Sequence, residues 1–169
     1  MVASALRSSL ALPFLLGLVF WSCLAYPKDL KIWSDTTPPI HLVHVFDGEI
    51  NQRGRPTGFH HISNPPSNRT ARIFRKLEGP NKAGVYTALV EIYDPHSKKW
   101  KEKFSSLFPR HLTRQQLIKA ILQAYHQDEL EHPRKWRGPS GYGFKIEGYL
   151  LKDGRIITAY PLYRKDGTE

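Results

Sequence analysis

Between Val85 and Tyr93 the chain alternates: Tyr86, Ala88, Val90 and Ile92 fall to one side of an extended backbone, Thr87 and Glu91 to the other. A period of two predicts a half-buried strand, which Asp94, Pro95 and Ser97 end in a turn. Further on the period lengthens. Thr113 and Gln116 have the spacing of a capping box, and Leu117, Ile118, Ile121, Leu122 and Tyr125 then share one face of a helix bounded by Pro133. Residues 144–151 and 155–163 are β-rich and meet across Asp153-Gly154, a strong hairpin signal. On the second of these strands Ile156, Thr158 and Tyr160 are expected on a common face. Residues 40–46 are apolar except for His41 and His44, and fit a strand or a short helix equally.

The stretches between carry turn chemistry. Residues 26–39 include Asp35-Thr36-Thr37-Pro38-Pro39 and read as an extended lead-in. Residues 48–58, with Gly54, Pro56 and Gly58, residues 63–68, with Pro65 and Pro66, and residues 138–143 read as loops, the last a flexible one. The basic run at 98–103 is a solvated turn by default, although Trp100 among its lysines also suits a nucleic-acid surface. No internal repeat or low-complexity block occurs. The order of elements predicts an α+β fold with an antiparallel sheet near the C-terminus.

The N-terminus has a different character. Arg7 precedes an almost unbroken apolar run at 10–24, and Cys23 and Ala25 supply the small residues for cleavage before Tyr26. Pro13 interrupts the run, which is short for a membrane span of roughly 20 residues. A cleaved signal peptide over 1–25 is therefore preferred to a retained anchor. Lipid attachment at Cys23 is disfavoured by the bulky Phe20 and Trp21 before it. Cleavage leaves 144 of the 169 residues, enough for one domain with its own core, and takes the formal charge from +10 to +9. It also removes Cys23, the single cysteine, which excludes a disulfide scaffold and a cysteine zinc site. So basic a chain points to a polyanionic partner: RNA, DNA, an acidic cell surface or an acidic protein.

Four histidines, His41, His44, His60 and His61, lie within 21 positions. Imidazole gives and takes protons near neutrality. Internal transfer in RNA needs one group to remove the 2′-hydroxyl proton, another to protonate the departing 5′-oxygen, and a cation for the phosphorane. It formally requires no metal. Two other readings compete: plain surface histidines, or a metal set of His41, His44 and Glu49 or of His60 and His61. The helical His-Glu-x-x-His of metalloproteases is absent, as are phosphate-cradling and dinucleotide motifs. Gly138-Pro139-Ser140-Gly141-Tyr142 fails as a hydrolase elbow because Tyr142 replaces the second glycine. Asn68-Arg69-Thr70 matches a glycosylation acceptor, meaningful only on a eukaryotic secretory route.

Taken together, several segments resemble the EndoU family of uridylate-preferring endoribonucleases, notably its secreted bacterial toxin branch. His44-Val45-Phe46-Asp47-Gly48-Glu49 resembles the segment with the family's first catalytic histidine. Gly58-Phe59-His60-His61 resembles the second, and the separation of 16 assigns that role to His60 rather than His61. Lys152-Asp153-Gly154 through Thr158-Ala159-Tyr160-Pro161 is similar to the family's closing hairpin. Lys103, before Phe104-Ser105-Ser106, stands where the family places its catalytic lysine, with Lys98, Lys99 and Lys101 as close alternatives.

The resemblance implies a small single-domain α+β RNase, its antiparallel sheets flanking a cleft beside one prominent amphipathic helix. It spans most of the expected domain at 41–169, which follows the signal at 1–25 and the lead-in at 26–40. His60 would be the general base and His44 the general acid, the two roles being open to exchange. Lys103 would stabilise the phosphorane, with the Gly58 backbone N–H as a second donor. Tyr160 would stack on or orient the nucleotide, and Thr158, helped by Ser106, would hydrogen-bond uracil. No cofactor is required, although some members respond to manganese. A secreted or periplasmic monomer acting on RNA is implied, with no stable membrane association after signal cleavage. As an antibacterial toxin it would have an acidic immunity protein as partner. The competing functions are a non-catalytic RNA- or polyanion-binding module and a basic envelope protein with incidental histidines.

Overall fold

A computed structural model describes residues 31–62 and 70–167. The expected signal segment with Cys23, the loop at 63–68 and Asn68-Arg69 lie outside the described residues. In chain order a π-helical turn, Val43–Asp47, is followed by β1 (Glu49–Ile50), β2 (Pro56–Thr57), β3 (Ala71–Glu78), β4 (Tyr86–Asp94) and β5 (Lys99–Leu107). Then come the helix α1 (Arg114–His126), β6 (Lys135–Pro139), β7 (Lys145–Leu150) and β8 (Ile156–Pro161). The strands form a β1-β2 hairpin and two antiparallel three-stranded sheets, ordered β3-β4-β5 and β6-β7-β8. The fold is α+β. Among the described residues no helix is long and apolar enough to cross a membrane.

Each sheet has its own core. The alternating side chains Tyr86, Ala88, Val90 and Ile92 of β4 are buried together with Phe59, Ala71 and Leu107. The other core joins the π-helical turn, α1 and the β6-β7-β8 sheet through Val45, Phe46, Leu117, Ile121, Trp136, Ile146 and Ile156, among others. The capping box forms: the Gln116 N–H donates to Thr113 Oγ1 and the Thr113 N–H to Gln116 Oε1. From that start α1 buries Leu117, Ala120, Ile121 and Ala124, with Ile118, Leu122 and Tyr125 partly covered. The Asp153-Gly154 hairpin also forms, closed by Leu151 N–H to the Arg155 carbonyl at 2.8 Å, with Gly154 at φ +85°.

Several loop expectations are corrected. The basic run at 98–103 is largely strand, because β5 pairs with β4 continuously from Asp94↔Lys99 to Tyr86↔Leu107. Its charge is accommodated locally, Lys101 Nζ lying 2.8 Å from Asp94 Oδ2. Trp100 already has the Arg72 guanidinium stacked 4.1 Å from its ring centre. Gly138 and Pro139 belong to β6, and Ser140, fully buried, closes a tight turn onto the Phe144 carbonyl. Residues 48–58 contain the β1-β2 hairpin. Residues 40–46 combine both expectations: Ile40 bridges Ile156, His41 bridges Trp33, and the chain then turns into the π-helix. Part of the lead-in folds back, with Ser34 N–H donating to the Ile40 carbonyl and Leu42 N–H to that of Ile32. The shared face of Ile156, Thr158 and Tyr160 is interrupted. Between Ile156 and Thr158 the register with β7 shifts by one residue, so Ile156 joins Ala159 in the core.

Gly148 on β7 lies under Trp136, where an added Cβ would sit 2.2 Å from the indole Cζ2 and 2.5 Å from the Thr158 carbonyl oxygen. Gly148→Ala is expected to lower stability by the upper end of the roughly 1–3 kcal/mol typical of overpacked cores. Urea denaturation checks this; an unchanged midpoint would show that the indole yields freely.

Candidate active site

The site begins with backbone rather than side chains. At Gly58 the chain leaves β2 with φ +72°, and a Cβ there would meet the His44 carbonyl oxygen at 2.1 Å. Only glycine permits this approach. The following amides complete the junction: Phe59 N–H donates to the His44 carbonyl at 2.8 Å and His60 N–H to that of Val45 at 2.7 Å. On the far side Phe108 N–H donates to the His60 carbonyl at 2.7 Å. Residues 58–60 are thereby tied both to the π-helical turn and to the chain just beyond β5.

This brings the rings of His44 and His60 to a centroid separation of 6.1 Å. Each tautomer is set by its partner. His44 Nδ1 lies 2.9 Å from Glu49 Oε1, where only the nitrogen can donate. His60 Nδ1 donates to the Ser106 carbonyl at 3.0 Å, with Ser105 Oγ at 3.1 Å beside it. In both rings Nε2 is left for other chemistry. His60 is only 8% exposed, and its pKa is held well below that of a free imidazole by burial first, then by the charges of Lys103 and His44. Glu49 is lowered, chiefly by its hydrogen bond with His44.

Strand parity puts Lys99, Lys101 and Lys103 on one face of β5, and their partners tell them apart. Lys101, Lys103 and Ser105 alternate along β5 and reach toward residues 54–60. Lys101 is committed to Asp94 and to the Gly54 carbonyl. Lys103 donates to the Gly58 carbonyl at 2.8 Å, forms no ion pair among the described residues, and is lowered by burial to about 8. Lys99 is exposed at the start of β5, and Lys98 sits in the preceding turn. Gly58 thus contributes its carbonyl, to Lys103.

The β8 residues close the group. The Tyr160 ring lies 5.5 Å from that of His60, and its hydroxyl donates to Glu147 Oε1 at 2.5 Å. Burial and this carboxylate push the phenol far above its ordinary value. Arg137 and Lys135 also bind Glu147. Burial alone would raise Glu147; the hydrogen bonds from Tyr160, Arg137 and Lys135 bring it below the usual carboxylate range. Ser106 Oγ donates to the Pro161 carbonyl, fastening β5 to β8. Thr158 is half-buried, paired across the sheet with Tyr149. Ser105 and Glu147 are members of the network that the sequence reading missed; the alternation of β5 alone could have revealed Ser105.

The remaining histidines divide. His61 is a core residue, its ring edge-on to Phe46 at 5.7 Å and its pKa lowered by burial to about 4. His41, 8% exposed, brings Nδ1 to 3.6 Å from Glu49 Oε1. His41, His44 and Glu49 offer three ligand atoms within 4.8 Å of one another.

Two imidazoles of set tautomer beside a desolvated ammonium can remove one proton, deliver another and stabilise an anion between them. Such a set is chemically capable of phosphoryl transfer by proton relay. Residues 41–163 match the bacterial EndoU nuclease family, and the chain belongs to that family. It is similar to a toxin of Bacillus cereus, 31% identical over 125 residues. That alignment covers 73% of this chain but 22% of the relative, so the chain spans about a fifth of the length of the curated protein it matches. No solved structure matches the chain.

Because His60 and His61 are lowered on folding, their unfolded forms bind protons first as pH falls below about 6.5. Their contribution to stability is complete above that pH and is lost on acidification, for His61 down to about 4. Urea midpoints measured at successive pH values are expected to fall over this window, each histidine adding a slope of at most about 1.4 kcal/mol per pH unit. His61→Leu should flatten it; an equal slope in that variant would assign the acid sensitivity elsewhere.

Proposed function

We propose that this chain is an exported endoribonuclease that cleaves RNA 3′ of uridylates by internal transesterification. The observation that carries the reading is the convergence of His44, His60 and Lys103, three residues from separate parts of the chain, beside the ring of Tyr160. His60 Nε2 takes the 2′-hydroxyl proton, and its depressed pKa keeps it unprotonated and ready to do so. The 2′-oxygen attacks phosphorus and the 5′-oxygen departs with a proton from His44 Nε2. The products are a 2′,3′-cyclic phosphate and a 5′-hydroxyl end, with no water consumed. Lys103 balances the charge of the phosphorane, which strengthens as the buried ammonium gains an anion. Glu49 orients His44 through Nδ1, and the Ser106 carbonyl does the same for His60.

The RNA strand passes over the junction of β5 and β8, beside His44 and His60. Tyr160, held by Glu147, orients the nucleotide, while Thr158 and Ser106 hydrogen-bond uracil. The reaction requires no metal cofactor. The N-terminal 25 residues direct export and are removed. Secreted or periplasmic, a monomer, the protein acts as an antibacterial toxin, as the Bacillus cereus relative's designation as a toxin suggests. An acidic immunity protein would neutralise it in the producing cell.

Cleavage of uridine-containing oligonucleotides is expected to leave cyclic-phosphate ends, detected by mass spectrometry, and His44→Ala or His60→Ala to reduce kcat/KM by about 10²–10⁴-fold. Intact RNA, or cleavage indifferent to His60→Ala, would reject the mechanism and leave a binding module. Lys103 acts in its charged form, so activity is expected to decline as pH rises through about 8. Lys103→Arg, if it retains cleavage, should carry that decline to higher pH; an unmoved limb would exclude this lysine as its source.

A further inference from the structure

The His41, His44 and Glu49 cluster has a geometry that proton transfer does not explain. His44 and Glu49 suffice to orient the reacting ring, and His41 makes no hydrogen bond to either. Its Nδ1 is nevertheless buried, has no hydrogen-bond partner, and faces the same carboxylate oxygen that His44 engages. The position is firmly held: His41 N–H donates to the Ile156 carbonyl at 2.9 Å, its own carbonyl accepts from Val45 N–H, and its ring lies 4.6 Å from that of Trp33.

We propose that His41, His44 and Glu49 form a binding site for a divalent transition-metal ion of the zinc class, and that its occupancy switches the nuclease off. The inhibitory half rests on the reading of His44 as the general acid. Zinc bound at about 2.0–2.1 Å in a tetrahedron sets its ligand atoms about 3.3 Å apart. The Nδ1 atoms of His44 and His41 lie 2.9 and 3.6 Å from Glu49 Oε1, on either side of that value. The two imidazoles, their ligand nitrogens within 4.8 Å of each other, would close toward one another to seat an ion, and the fourth position is left to water.

The donor set identifies the ion's class. Two imidazoles and one carboxylate suit zinc, copper or nickel. Calcium and magnesium demand oxygen-rich shells, and manganese binds such nitrogen ligands more weakly than any later first-row divalent ion. The ion would displace the proton on His44 Nδ1 and compete with it for Glu49. Coordinated through Nδ1, the ring keeps its Nε2 proton as a neutral ligand and no longer cycles between imidazolium and imidazole. Cleavage then lacks its acid while the fold is unaltered.

The test titrates the purified protein with zinc chloride by calorimetry, follows histidine ring resonances by NMR, and assays RNA cleavage with zinc or with EDTA. The expected result is one ion bound per chain, with the resonances of His41 and His44 shifted and those of buried His61 unmoved. Cleavage should fall by roughly tenfold or more at saturation and return with EDTA. In His41→Gln both zinc affinity and zinc inhibition, measured against that variant's own metal-free rate, should weaken by roughly tenfold or more. Absence of zinc binding, or binding that leaves the His41 and His44 resonances in place, would overturn the site whether or not His41→Gln folds. Binding at these residues without loss of cleavage would overturn the inhibition. A protein that binds zinc there but cleaves no RNA when metal-free would retain the site and refute the nuclease reading instead.

Discussion

The contact between the Gly58 peptide and the carbonyl of His44 governs the distance between the two halves of the site. Neither histidine finds the other through its side chain. Their backbones are joined by the amides of Phe59 and His60, and the rings follow. Any Cβ at residue 58 would drive the two segments apart before a rotamer could respond. Because the His60 carbonyl also accepts from Phe108, the same three-residue span fixes the rings relative to β5, and so relative to Lys103. Short main-chain hydrogen bonds hold such geometry more tightly than long side chains could, since few rotatable bonds separate the clamp from the imidazole rings.

The electrostatics of the site follow from its burial. His60 and Lys103 lie close together in a chain with a formal charge of +10, and both lose affinity for protons as water is excluded. A phosphodiester would reverse that balance by supplying the anion that neither residue has. Glu49 and Glu147 are otherwise engaged, Glu49 with His44 and Glu147 with Tyr160, Arg137 and Lys135. Their negative charge is drawn into holding side chains in place, which limits its repulsion of a polyanion.

What could be read directly from the chain were the elements with strong local signals. Thr113 and Gln116 announced α1, Asp153-Gly154 the closing hairpin, and the alternation at 86–92 the strand β4. By contrast β3 went unseen because it is an edge strand, exposed along most of its length and interrupted twice by register shifts, so its side chains show no period of two. β6 was hidden by Gly138 and Pro139, residues that suggest a loop. There glycine serves packing instead, since a Cβ would meet the Ala124 carbonyl of α1 at 2.1 Å. In the site, the histidines were evident as residue types, but Lys103 could be separated from Lys101 only by seeing which one Asp94 occupies. Glu147 required the pairing of β7 with β6 and β8, which no local pattern encodes.

The Arg72–Trp100 stack has a bearing on how the molecule meets copies of itself. β3 is an outer strand of its sheet, and its unpaired edge could template association with another chain. β3 carries a row of cations, Arg72, Arg75 and Lys76. The Arg72 guanidinium reaches across β4 and covers the Trp100 indole, masking an apolar patch on the face of the sheet. Like charges thus guard this border of the sheet, a defence against aggregation built from basic residues like those that favour a polyanionic ligand.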